Sequence, residues 1–204
     1  MIFFFSYHIN MVKTRKRRRR RRKNIYTRKQ YNSGEGMLTS VWGPGLWFFL
    51  HTISFNYPHK PTAEQKKHYK NFILQLKYIL PCRYCRENFK KNLKALPLRK
   101  KDLKNRANFS RWVYNLHELV NKMLGKKSGL TYAVVRERHE HFRSRCTKKD
   151  KNERVKICKT KKKREKGCTT PLYGKKAKCV IKIVPQETKC KTFQMDKKCV
   201  KERK

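Results

Sequence analysis

Acidic residues are scarce in this chain: 13 Asp and Glu stand against 57 Lys and Arg in 204 residues, a formal net charge of +44. Charge of one sign at that density self-repels and favours anionic partners such as nucleic acid or acidic membrane surfaces; it bears on partners, not on fold. Long apolar runs are lacking too. No stretch reaches the roughly 18 residues that a membrane span needs. The apolar residues 2–7 are followed, not preceded, by basic ones, the reverse of a secretory signal. Neither secretion nor membrane spanning is therefore expected, and Met11 would begin a shorter product just ahead of the basic block. No internal repeat is evident, and there is no second close pair of cysteines that could complete a zinc site with the one present.

What is present is unevenly placed. With 34% charged residues against 37% apolar ones, the chain cannot fill a core along its whole length, so part of it is expected outside the fold. Residues 13–23 form one basic block without apolar periodicity, and residues 148–204 are Lys-rich. The segment between carries the Trp residues and most of the Phe, Leu and Ile. The expected organisation is a disordered basic tail over 1–36, a globular domain over 37–146 and a Cys/Lys-rich extension over 147–204. The basic block could act as a nuclear-import signal, as a nucleic-acid patch, or only as a solvated tail that binds polyanions without selectivity.

Within the middle segment the spacing of apolar residues predicts helices. Positions 42, 46, 47, 49, 50 and 53 share a helical face, with Thr39 or Ser40 placed to cap the start and Pro58 to stop it. Gly43, Pro44 and Gly45 fall in the first turn of this helix, where small residues let a ligand approach the backbone. Thr62 and Gln65 form a capping-box pattern ahead of Tyr69, Phe72, Ile73, Leu76, Ile79 and Leu80, a second helix ending at Pro81. A shorter helix is predicted over 82–96. After a polar connection at 102–106 comes a fourth helix, whose apolar face runs from Phe109 to Leu124 and stops at Gly125. A weaker fifth helix is predicted over 132–145. The expected fold is all-α, a four-helix bundle with a fifth helix. Beyond Cys146 only residues 179–184 read as a short strand.

Eight cysteines are present, of which Cys82 and Cys85 alone are close, in Cys82-Arg83-Tyr84-Cys85 at a predicted helix start. Two cysteines so spaced can bond to each other, and the backbone N–H groups and dipole of a helix N-terminus favour the thiolate that exchanges disulfides. Closing so short a loop adds little stability, which suits a reversible couple better than a staple. Two plainer readings compete. Half of a zinc site would need further ligands, for which His139, His141 and Cys146 are only a loose match. A thioredoxin-like pair would need a preceding strand, whereas residues 74–80 read as helix.

A cysteine pair alone passes electrons poorly to oxygen, so an oxidase would need an acceptor beside it. Trp47 and His51 lie four apart on the first helix, and His117 and Asn121 four apart on the fourth; each pair shares a face that could line a planar ligand. Taken singly, such residues are more often ordinary core.

Several segments in order resemble the Erv/ALR sulfhydryl oxidases: Trp47-Phe48-Phe49-Leu50-His51-Thr52, Tyr57-Pro58, Pro61-Thr62, Pro81-Cys82-Arg83-Tyr84-Cys85, Trp112, His117-Glu118-Leu119-Val120-Asn121 and Leu124-Gly125-Lys126. The resemblance covers residues from about 42 to 126 and implies a helical bundle holding FAD, usually homodimeric, that oxidises thiols and reduces O2 to hydrogen peroxide. It implies Cys85 as the flavin-proximal sulfur and Cys82 as the interchange sulfur attacked by incoming thiols. Trp47, His51, Trp112, His117, Asn121 and Lys126 would contact FAD, with Gly43 and Tyr57 alongside. Two departures stand out: Glu118 where many members have Asn, and Tyr114 where many carry a structural cysteine, so the usual bridge near the flavin is missing. The segment 141–146, with Gly167-Cys168 and Pro171-Leu172-Tyr173-Gly174, resembles thiol oxidases of large cytoplasmic DNA viruses, which implies a viral factory in the host cytoplasm or the virion.

Most members relay electrons through a second, mobile cysteine pair. Cys190 and Cys199 are candidates, while Cys146, Cys158, Cys168 and Cys179 could form structural bridges; the spacing leaves the pairing open. Protein thiols or a thioredoxin-like shuttle would be the substrates. The competing function is a basic, Cys-rich nucleic-acid-binding or zinc-binding virion protein, for which the charge speaks and the motifs do not.

Overall fold

The computed structural model describes residues 26–34, 36–144, 168, 171–173, 175, 183–185, 187–188 and 196–200. A first unit spans residues 1–34 and contributes helix α1, Arg28–Tyr31, closed at its start by a capping box between Thr27 and Gln30. That short helix lies inside the segment expected to be a disordered tail. The second unit, residues 35–204, holds α2 (Thr39–Phe55), α3 (Ala63–Ile79), α4 (Arg83–Ala95), a 3-10 turn (Lys100–Leu103), α5 (Arg106–Met123) and α6 (Tyr132–Glu140).

The start signals acted where they were predicted, with one exception. Thr62 and Gln65 make both bonds of the capping box of α3; Asn105, which the sequence reading left inside the polar connection, caps α5 by accepting from the N–H of Asn108. Helix α2 instead starts at Thr39, two residues earlier than its apolar face suggested. Its N-cap is Leu38, with no side-chain cap. Pro44 therefore lies inside α2 rather than in its first turn, where its missing N–H leaves the Ser40 carbonyl without an i+4 donor. The α5 terminus is a Schellman motif: Gly125 takes a φ of +66°, its N–H reaches the Lys122 carbonyl at 3.1 Å, and the Lys126 N–H reaches the Asn121 carbonyl at 2.8 Å.

Helices α2 and α5 form the central pair; α3 packs on α4, α4 on α5, and α6 on α2. The main core collects Leu50, Tyr57, Ile73, Leu76, Leu80, Phe89, Leu98, Phe109, Trp112, Val113 and Leu116. It also holds Leu103, which falls within the expected polar connection: the Tyr57 hydroxyl donates to the Leu103 carbonyl at 3.0 Å and draws the 3-10 turn against the bundle. A second cluster of Phe55, Tyr132 and Val135 seats α6. Arg143, paired with Glu140, donates from Nη2 to the Phe55 carbonyl at 2.9 Å. Tyr114 stands where the resemblance leads one to expect a cysteine, and its hydroxyl ties the α5–α6 connection by donating to the Leu130 carbonyl at 2.7 Å. A neutral hydrogen bond thus holds that junction.

Of the strand expected over 179–184, residues 179–182 lie outside the described residues, and 183–184 form no strand. An isolated bridge joins Ser144 to Pro171. Among the described residues no helix is long and apolar enough to cross a membrane.

Candidate active site

Pro81 ends one helix and Cys82 begins the next, so both cysteines sit at the N-terminus of α4. Cys82 is the N-cap itself. Its sulfur accepts from the Cys85 N–H at 3.3 Å, the place a Ser or Asp oxygen usually fills. Both cysteines are free thiols here. The hydrogen bond from the Cys85 side chain, helped by backbone N–H groups at the helix start, holds the Cys82 thiol below its usual range. Burial pushes Cys85 up. Of the two, Cys82 ionises first and is the outer sulfur, while Cys85 packs against the main core.

Two neighbours of the pair were not marked by any sequence spacing. Thr39, expected to act only at the start of α2, places its hydroxyl 3.7 Å from the Cys85 sulfur. Gly36, inside the expected disordered tail, forms an antiparallel bridge with Cys82, and the Met37 N–H donates to the Pro81 carbonyl at 2.6 Å. Trp42 holds this strap from the other side, donating from Nε1 to the Met37 carbonyl at 3.0 Å. Gly36 has a φ of +120°, and a Cβ there would lie 2.6 Å from the Pro81 oxygen and 3.0 Å from the Cys82 Cα. Only glycine fits. Gly36→Ala is expected to lift the strap, lowering stability by about 1–3 kcal/mol and exposing the outer sulfur. Denaturant melts and the rate of iodoacetamide alkylation of Cys82, raised several-fold, would check this. An unchanged rate would show that the strap does not guard the sulfur.

The second constellation lies between α2, α5 and α6. Trp47 and His117 stack with ring centroids 4.0 Å apart and planes within 6° of parallel. His51 and His117 share a hydrogen bond of 3.0 Å between Nε2 and Nδ1. Burial, followed by the neighbouring His117 and His139, lowers the His51 pKa to about 3. Burial lowers His117 to about 4, against a smaller opposing pull from Glu118. Both are neutral at physiological pH. Trp112 is buried with its indole N–H unpartnered, and His51 Nδ1 is likewise without a partner.

The remaining residues singled out from sequence are placed as follows. Asn121 is half-buried and donates to Glu118 at 3.1 Å, so the departure at Glu118 is used to hold Asn121. Lys126 is exposed and turned back over the end of α5 by the Schellman motif. Gly43 is buried within α2. Tyr57 is fully buried, and its ring packs on Tyr69 and Phe109. The structure thus brings together Trp47, His51 and His117, and separately Cys82, Cys85 and Thr39. Sequence reading missed the part that His139 plays in the first group; it had weighed that residue only as a loose zinc ligand beside His141 and Cys146. Cys146 lies outside the described residues, as does Cys190. Among the described residues no group of three His, Cys, Asp or Glu side chains is placed to hold a metal ion. Cys199 is a free thiol, and Cys168 is disulfide-bonded.

A helical bundle that displays a CxxC pair at a helix start, with the outer thiol acidified and the inner one packed against the core, is a scaffold for thiol–disulfide exchange. The model of the Erv1 / Alr family matches residues 44–152, and the chain belongs to that family. It is 38% identical over 96 residues to a probable FAD-linked sulfhydryl oxidase of Acanthamoeba polyphaga mimivirus, covering 47% of this chain and 66% of the relative. It is 39% identical over 84 residues to the FAD-linked sulfhydryl oxidase ERV1 of Arabidopsis thaliana, covering 41% of this chain and 42% of that one. Among solved structures, the FAD-binding domain of Erv1 from Saccharomyces cerevisiae aligns with a TM-score of 0.45 at 28% identity, over 50% of this chain and 93% of that one. The chain thus spans between about two fifths and two thirds of the length of these two curated relatives.

Proposed function

We propose that the chain is an FAD-dependent thiol oxidase that forms disulfide bonds in protein substrates and delivers the electrons to O2, giving hydrogen peroxide. The observation that carries this reading is the asymmetry of the cysteine pair at the start of α4, an outer Cys82 whose thiol is acidified by its hydrogen bonds and an inner Cys85 that packs against the main core. With the pair oxidised, a substrate thiolate attacks the Cys82 sulfur and Cys85 departs as the thiolate. A second substrate thiol then displaces Cys82, leaving a substrate disulfide and two cysteine thiols. Thr39 is within reach to hydrogen-bond the Cys85 sulfur while it carries charge. Bound FAD would supply the acceptor for the two electrons and two protons that must leave the pair before its disulfide re-forms, and would pass them on to O2.

The residues present fit that cofactor. The stacked Trp47–His117 pair offers an outer ring face as a platform for an aromatic ring system, and the unpartnered Trp112 N–H is a buried polar atom of the kind a ligand satisfies. Asn121 and Lys126 would complete the polar contacts and His51 would line the site with its ring, while Gly43 and Tyr57 would shape the site by packing. A homodimer is supported by apolar surface on α2 and α3, where half-exposed Phe49 meets Phe72 edge-on at 6.2 Å.

The domain over 37–146 would be flanked by a basic N-terminal tail and a Cys/Lys-rich extension that contribute non-specific polyanion binding. Cys190 and Cys199 would be the shuttle pair. Viral relatives, including FAD-linked sulfhydryl oxidases of African swine fever virus, support a role in viral disulfide formation in the host cytoplasm or virion, with nuclear import open to the 13–23 block. The test is the visible spectrum of the purified full chain followed by peroxide production on adding dithiothreitol. A flavin band near ~450 nm together with peroxide is expected. A protein that stays colourless after FAD is added, and yields no peroxide, would overturn the reading in favour of a nucleic-acid-binding protein.

A further inference from the structure

Helix α6 reaches into the histidine cluster with one side chain, His139, whose ring lies 5.4 Å from that of His51 and packs on Phe55 at 5.2 Å and Phe48 at 5.7 Å. Its Nδ1 is 2.9 Å from the Val135 carbonyl. A carbonyl only accepts, so Nδ1 carries the proton, and in the neutral ring Nε2 is a bare lone pair. That Nε2 is buried and without a partner. Burial lowers the His139 pKa as well, which keeps the ring neutral.

The other two rings share one proton between His51 Nε2 and His117 Nδ1, which admits two arrangements. If His51 donates from Nε2, its Nδ1 is a second bare lone pair, buried in the same cluster as the lone pair of His139. If His117 donates from Nδ1, then His51 carries its own proton on Nδ1. A buried donor without a partner then stands one ring away from a buried acceptor without a partner. With the ring centroids 5.4 Å apart, ring rotation can bring the two nitrogens within reach of a direct hydrogen bond. A direct bond of that kind forms only in the second arrangement, because two facing lone pairs hold no proton to share, and burial makes leaving both atoms unpaired costly.

We propose that His139 is a positioning residue that sets the tautomers of the cluster, fixing His51 and His117 in the Nδ1–H form and leaving His117 Nε2 as a hydrogen-bond acceptor beside Trp47. The site would thereby select a ligand that offers a hydroxyl or amino donor at that point. This deepens the cofactor reading and rests on it only for the identity of the ligand, because the tautomers belong to the protein itself.

Long-range 1H–15N correlation spectra of the imidazole nitrogens, recorded on the cofactor-free full chain at neutral pH, read the arrangement directly. Wild type is expected to show Nδ1–H tautomers at His51, His117 and His139. In His139→Phe, which keeps an aromatic ring against Phe48 and Phe55, His51 and His117 should shift toward Nε2–H. His139→Gln returns an acceptor and should restore the wild-type pattern in part. FAD affinity should fall about tenfold in His139→Phe, the scale of one hydrogen bond. Nε2–H tautomers at His51 and His117 in wild type would overturn the proposal without any variant. So would a His139→Phe spectrum in which both rings are unchanged. Failure of FAD to bind wild type, with the tautomers as expected, would instead overturn the cofactor reading and leave the assignment of His139 standing.

Discussion

Cys85→Ser is expected to reduce dithiothreitol oxidation to background, a loss on the order of a thousandfold or more, because removing one member of a catalytic unit costs nearly as much as removing the whole. The substitution leaves a hydroxyl that can still meet Thr39, 3.7 Å from the native sulfur, so the melting curve should move little. Cys82→Ser is the companion. Serine is a better N-cap than cysteine, and its oxygen can take over the bond now accepted from the Cys85 N–H, so α4 should start as securely or more so. Its activity should nonetheless collapse, because the sulfur that substrates attack is gone. Activity lost in both variants with stability kept separates a redox couple from a structural pair. Undiminished turnover of dithiothreitol by Cys85→Ser would remove the central assumption about this site.

The bundle was legible in the sequence because its signals are local. Thr62 with Gln65, Pro81 between two helices and Gly125 after a third each act within a few residues, and each acted where it stood. The start of α2 was read two residues late because its capping rule did not operate: Leu38 is the N-cap, and the strap bonds of Met37 and Trp42 position the chain instead. That information lies in Pro81 and Cys82, more than forty residues away. Trp47, His51 and His117 were legible as shared helix faces, and Cys82 and Cys85 as a spaced pair. Thr39, Gly36 and His139 were not, because each acquires its meaning only when a separate element is packed against it. Leu103 is the same case in the core, a lone apolar residue in a polar stretch whose burial depends on the hydroxyl of Tyr57.

The neutral histidines carry the second large expectation, an acid-labile fold. In the unfolded chain a histidine takes up a proton near pH 6.5, but burial lowers the folded pKa to about 3 at His51 and about 4 at His117. Below pH 6.5 the unfolded state therefore binds protons that the folded state does not. Stability is fully present above that pH and falls as pH drops, by about 1.4 kcal/mol per unit for each histidine until its folded pKa is reached. His139 is shifted in the same direction by burial. Between pH 7.5 and 4.5 the loss from His51 and His117 should be about 5 kcal/mol, comparable with the whole stability of a small domain. Glu140, held down chiefly by its hydrogen bond from Arg143, contributes a further loss, but at lower pH, so the range from 7 to 5 isolates the histidines. Urea unfolding of the cofactor-free protein at several pH values would read the slope. His51→Gln should make it shallower by about one proton's worth, 1.4 kcal/mol per unit, while lowering stability at pH 7. A flat profile from pH 7.5 to 4.5 would mean that the cluster opens to water and titrates normally. A slope that His51→Gln leaves untouched would place the proton uptake elsewhere in the chain.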